Sequence, residues 1–196
     1  MSQFNGGLAT EFCRAFCDCY EEARARFEEP TAWAAMWKLP SAHPGGWNDF
    51  MLHSPNSVIN AAADRIGLNR CPGVSEPLHL DAAFVSRGAK SWFPMRMVLE
   101  HENSPDGFAQ EICKLLSVRA PLKVGLTYSL GHQRRYSDLP HTIQREIGEC
   151  LGKALIGEDG ATEYLFLLGI ETDPFTLRWM SLRFRAADGL AGAIFA

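Results

Sequence analysis

Residues 93–128 read FPMRMVLEHENSPDGFAQEICKLLSVRAPLKVGLTY, and the changes of period inside this stretch decide the fold. The opening FPMRMVLEHE (93–102) is a short apolar run of strand length. SPDG at 104–107 is a turn and a helix-start signal. Phe108, Ile112, Leu115 and Leu116 then recur at three- and four-residue steps, which gives the next segment the core-facing stripe of a helix. Pro121 ends that helix, and LKVGLTY (122–128) has the composition of a buried strand. Upstream, LHLDAAFVS (78–86) is a second apolar run, joined to the first by the polar RGAKSW, so the two read as a β-hairpin.

Working outward, Phe12, Phe16, Cys19, Tyr20, Ala23 and Phe27 place one apolar stripe on a long helix from Leu8 to about Glu28. Pro30 and Pro40 bracket a short aromatic segment, and SAHPGGWNDF is a turn-rich connector. A helix is expected from about Pro55 to Ile66, with Gly67 as its stop. Toward the C-terminus a helix over about 140–155 precedes EYLFLLGIE and FTLRWMSLRF, which TDP joins into a closing hairpin. Strands interleaved with helices predict an α/β fold: one domain over 1–196 with a central mixed sheet flanked by helices. Its parts are a helical stretch to about residue 70, a core over about 71–130, and a helix and hairpin over about 138–186.

With 196 residues, 46% hydrophobic and 21% charged, the chain has the composition of a soluble globular protein rather than a disordered or fibrous one. No apolar run has the length to cross a bilayer, and MSQFNGGLATEF lacks the basic and apolar regions of a signal peptide, so the expectation is a cytoplasmic protein without membrane partners. In that setting the six cysteines are expected reduced. Cys13, Cys17 and Cys19 lie in a segment of helical period, where Cys17 and Cys19 point roughly 200° apart, so helix packing is preferred to a metal site.

Chemistry concentrates in three acids. Asp81, Glu100 and Glu102 lie in runs that are otherwise apolar. Strand alternation puts Glu100 and Glu102 on one face, with Val98 continuing it inward. A hairpin centred near Ala89 sets Asp81 opposite about residue 99, so the three carboxylates are expected to converge. Carboxylates gathered without a counter-charge repel, and a raised pKa or a bound cation resolves the repulsion. Oxygen-only ligands favour Mg²⁺ or Mn²⁺ over zinc. Glu111 and Lys114 have the spacing of an exposed helix ion pair, and His101 alternates away from the carboxylates.

Asp81, then Glu100-His101-Glu102, then a helix carrying Lys114 and a strand resembles the PD-(D/E)XK nuclease superfamily, the restriction-endonuclease-like fold. The resemblance covers about residues 55–130 and implies an αβββαβ core whose second and third strands carry the acids. It also implies a Mg²⁺-dependent nuclease that hydrolyses phosphodiester bonds in DNA or RNA. Asp81, Glu100 and Glu102 would be its metal-binding residues and, with Lys114, its catalytic set. The chain departs from the pattern in two places: Leu80 stands where a proline precedes the aspartate, and Glu102 replaces the motif lysine, which makes Lys114 on the following helix the candidate for that role. A non-catalytic member of the same fold, acting as a binding or regulatory module, is the alternative. By analogy with the family, a homodimer is a further expectation.

The net charge of −4 argues against a basic nucleic-acid coat protein. Its distribution does not exclude a local phosphate-handling groove: from Lys114 to Ser137 there are five basic residues and no acid. Arg119, Lys123, Arg134 and Arg135 are therefore the expected nucleic-acid contacts, with Tyr136 available for stacking on a base.

Overall fold

The computed structural model describes residues 7–27, 30–39, 44–71, 80–91, 93–103, 105–129, 145, 148–149, 159–173, 176–189 and 194–195. Three helices come first: α1 (Leu8–Ala25), α2 (Pro30–Lys38) and, after a π-helical turn over Asp49–His53, α3 (Val58–Arg65). Strands β1 (Leu68–Arg70), β2 (Ala82–Ser86) and β3 (Met97–Glu102) follow, then α4 (Phe108–Leu116) and β4 (Leu122–Ser129). The chain closes with β5 (Glu163–Asp173), β6 (Thr176–Arg185) and β7 (Ile194–Phe195).

The strands form one seven-stranded sheet in chain order. The β3–β4 and β4–β5 pairs are parallel, and the other four are antiparallel. Both parallel steps need a crossover, and α4 supplies the first. The fold is thus α/β with a mixed sheet between helices, as the sequence predicts. The hairpins 78–86/93–102 and 163–171/175–184 are present as β2–β3 and β5–β6. The helix expected over about 140–155 lies outside the described residues, as do Arg134, Arg135 and Tyr136.

Each face of the sheet has its own core. On one side α1 and α3 cover Ala82, Phe84, Met97, Leu99, Val124, Leu126 and Tyr128. On the other, Phe108, Ile112 and Leu115 of α4 cover Ala83, Val85, Val98, Tyr164 and Phe166. Alternate residues of one strand serve opposite layers, which is why β3 is buried on both faces.

Local chemistry fixes the helix ends. Ser57 caps α3 by accepting from the Asn60 N–H at 3.3 Å, and Gly67, at φ +76°, ends it. The cap of α1 is long-range: Glu163, at the start of β5, accepts from the Ala9 N–H at 2.7 Å. Gly7 has to be small there, because a Cβ at that position would collide with the Glu163 carboxylate.

Candidate functional site

Residues Ala82 and Leu99 pair across β2 and β3. One step further this register sets Asp81 opposite Glu100, one residue beyond the expected partner, and opposed residues of an antiparallel pair share a face. That face is the α4 side, because Val98 and Ala83 both pack there. Asp81 and Glu100 therefore meet, as the sequence predicts.

Two further contacts hold Asp81. Its Oδ2 accepts from the His101 backbone N–H at 2.7 Å. Its carbonyl accepts from Arg70 Nη2 at 2.8 Å, while Arg70 Nη1 donates to the Leu52 carbonyl at 2.7 Å. The guanidinium of β1 thus ties the entry of β2 to the π-helical turn. Burial raises the Asp81 carboxyl above its usual range, and Glu111 pushes in the same direction.

Glu100 has no exposed surface, and its carboxyl is hydrogen-bonded to those of Glu111 and Asp81. Burial first, then the carboxyls of Glu111 and Asp81, raise its pKa to about 10, against the attraction of Lys114. At neutral pH it is a carboxylic acid, uncharged until a cation compensates it.

The third acid at this place is Glu111 rather than Glu102. Glu111 lies on the inward stripe of α4, beside Ile112 and one turn after Phe108. It contacts Glu100 and pairs with Lys114, whose Nζ is 2.5 Å from Glu111 Oε2 and 3.8 Å from Glu100 Oε2. The expectation of an exposed Glu111–Lys114 pair is corrected on the glutamate side: its side chain is 14% exposed, the lysine's 43%. Lys114 is raised above its usual range, chiefly by Glu111, and so is a firm cation.

Glu102 shares the Glu100 face but is turned toward α4. Its carboxylate lies so close to Gly107, the N-cap of α4, that a Cβ there would be 2.7 Å from Oε2. A helix N-terminus is a favourable place for an anion. His101 points to the opposite layer, 8% exposed and 5.4 Å from the Tyr128 ring, and burial with help from His53 lowers it to about 3. It is neutral at physiological pH, and its backbone amide, rather than its ring, serves the site.

Of the expected nucleic-acid contacts, Arg119 is exposed just before β4. Leu122 pairs with Met97, so Arg119 sits at the end of β3 away from Glu102, roughly 17 Å along the strand. Lys123 is corrected: it has no exposed surface, and its Nζ is 5.5 Å from the Tyr164 ring centroid beneath α4. That position has no path to a phosphate.

Among the described residues, no three His, Cys, Asp or Glu side chains are grouped so as to hold a metal ion. Mg²⁺ is commonly bound through only one or two carboxylates plus water and substrate oxygens. The two carboxyls of Asp81 and Glu100, side by side on adjacent strands, fit that donor set. No helix among the described residues is long and apolar enough to cross a membrane. Compared with known proteins, the chain matches no protein-family model and no curated sequence.

Proposed function

We propose that the chain is a Mg²⁺- or Mn²⁺-dependent phosphodiesterase acting on nucleic acid in the cytoplasm, built on the plan of the PD-(D/E)XK superfamily. The observation that carries the reading is Glu100: a fully buried carboxyl gathered with those of Asp81 and Glu111 and beside a half-exposed lysine. Three carboxyls brought together in the interior repel one another unless one is protonated or a cation compensates them, and a divalent cation is the compensation a metal-dependent enzyme would use. The succession α3, β1, β2, β3, α4, β4, with acids at the β2 entry and on β3, supports the same reading.

A divalent cation bound by Asp81 and Glu100 would supply Lewis-acid charge to the phosphodiester and a more acidic water. The protein's part follows from its own groups. Asp81 is oriented by the His101 amide, and Glu100 would have to be deprotonated to serve as a ligand. Lys114 stays protonated, so it stabilises negative charge developing on the phosphate and does not act as a base. Glu102 is a metal-binding and catalytic residue of the proposal only if its carboxylate leaves Gly107. Arg119, Arg134 and Arg135 complete the proposal as phosphate contacts.

A non-catalytic binding module of the same fold is the second reading, and the placement of Glu102 over Gly107 favours it. Two measurements separate them. Mg²⁺ or Mn²⁺ raises the melting temperature of the wild type but not of Glu100→Gln if the carboxylates bind metal; no shift in either sinks the metal centre. Metal-dependent cleavage of single- or double-stranded DNA or RNA that disappears in Glu100→Gln and Lys114→Ala establishes the enzyme. Intact substrates with a bound metal establish the module.

A further inference from the structure

At the ends of β3, β4 and β5 remote from Glu102, the chain enters all three strands in one hydrogen-bonded row. The Leu122 N–H donates to the Arg96 carbonyl at 3.2 Å, and the Glu163 N–H to the Pro121 carbonyl at 2.8 Å. Between this row and the end of α4 lies an open cavity of about 940 Å³, whose lining includes Phe93, Met95, Arg96, Leu116, Arg119 and Asp159. Its floor belongs to the core beneath α4, of which Met95 and Leu116 are part. Arg96 and Arg119 are exposed, and among the described residues no carboxylate pairs with either guanidinium. Phe93, 55% exposed, is the one large hydrophobic side chain that the described residues leave on the surface. Asp159, the acid of the lining, is turned to its own loop, where Oδ1 accepts from the Ala161 N–H at 3.0 Å. The N–H and Oγ of Ser117 donate to the Lys114 carbonyl at 3.0 and 2.7 Å, which blunts the negative end of α4 beside the cavity.

We propose that this cavity binds one unpaired nucleotide of a single strand, with its phosphate on Arg96 and Arg119 and its base against Phe93. A guanidinium offers a planar fork that matches phosphate oxygens, and an exposed aromatic ring stacks on the face of any base. The volume lies in the upper part of the range for small-molecule sites, so a bare phosphate would leave most of it unfilled. The apolar floor serves a base and is of no use to an inorganic anion. A paired base offers only its edges, so a duplex has no face to lay on Phe93.

The cavity is separate from the carboxylates. Arg96 precedes Glu100 by four residues, roughly 13 Å of extended chain, or about four steps of a nucleic-acid strand at 3.4 Å each. Half-exposed Lys114, on α4, lies between the two places. A strand anchored at Phe93 therefore has later phosphates at the distance of Lys114 and Glu100. For its ligand class this proposal rests on the nucleic-acid reading above; nothing in it uses the metal centre.

The test is fluorescence anisotropy of a fluorescein-labelled oligothymidylate of about 12 nucleotides, titrated with the whole chain in EDTA so that binding is read apart from cleavage. Arg96→Met and Arg119→Met are each expected to weaken binding about tenfold, and Phe93→Ala about fivefold or more. A blunt duplex of the same length is expected to bind severalfold more weakly at the same salt. Arg14→Met, at an exposed position of α1 on the other layer, is expected to bind as wild type does. The proposal is overturned if the three cavity variants match wild type, if Arg14→Met loses as much as they do, or if the duplex binds as tightly as the single strand. An apolar peptide with a free C-terminal carboxylate that binds wild type but not Arg96→Met, where the oligonucleotide shows no binding, overturns it in favour of a protein ligand. Should a variant lose its cooperative melt, photocrosslinking of a 5-iodouracil-substituted strand to wild type decides: the adduct is expected on Phe93, and adducts only elsewhere overturn the proposal.

Discussion

Replacing Glu100 with glutamine removes a titrating proton from the interior while keeping the side-chain volume. In the folded protein Glu100 titrates at about 10, against 4.5 for an unperturbed glutamate. Between those values the folded chain binds one more proton than the unfolded chain, so this group's contribution to stability is complete below about pH 4.5 and is lost as pH rises toward about 10. The loss is a little over 1 kcal/mol per pH unit, or about 4 kcal/mol between pH 5 and pH 8. Asp81, also raised, slopes the same way, but it remains in the variant and largely cancels when the two proteins are compared. The assay is urea unfolding with EDTA present at several pH values across that range. The stability of Glu100→Gln relative to wild type is expected to grow by about 4 kcal/mol, and Mg²⁺ is expected to flatten the wild-type slope by favouring the ionised carboxylate. Two parallel curves, whose separation stays within about 1 kcal/mol, would refute the account of Glu100 as a buried neutral acid.

Other perturbations follow from the packing. A Cβ added at Gly125 would stand 2.7 Å from Phe166 Cδ1 and 2.9 Å from Phe108 Cζ, so Gly125→Ala is expected to destabilise by about 1–3 kcal/mol in chemical denaturation. Glu163→Ala removes the carboxylate that caps α1 and is expected to cost about 1 kcal/mol, read as a lower melting temperature with unchanged metal response. Lys123→Ala empties a fully buried site, so it is expected to lower stability by about 2 kcal/mol or more while leaving the salt dependence of any nucleic-acid binding unchanged. A reduced salt slope in that variant would show that Lys123 reaches a phosphate.

Much of the fold was legible because its signals are local. The β2–β3 and β5–β6 hairpins come from apolar runs of strand length, and α4 from a stripe that Pro121 cuts off. The register was one residue from the expected value, since a turn centre estimated from composition cannot resolve a single step. Three-residue β1 carries too little pattern to be seen, yet its Arg70 is what holds the Asp81 backbone. Glu111 was misread because its spacing to Lys114 is that of a solvent pair. The better signal was its place in the series Phe108, Glu111, Ile112 and Leu115, the inward face of α4. Lys123 failed for the complementary reason. Its place in an acid-free basic run suggests a phosphate contact, but α4 roofs that face of the sheet. Periodicity reports which residues share a face; what covers that face is a tertiary fact.

The carboxylate that caps α1 belongs to a residue 154 positions away from Ala9, and the Arg183 guanidinium reaching Thr10 is 173 positions away. Loop closures of that length are slow and entropically expensive. During synthesis, α1 would emerge before β5 and β6 and find its seat only after both have been made. Until then its stripe of Phe12, Phe16 and Tyr20 has no sheet to dock on, so this segment is where a chaperone would be expected to bind the nascent chain.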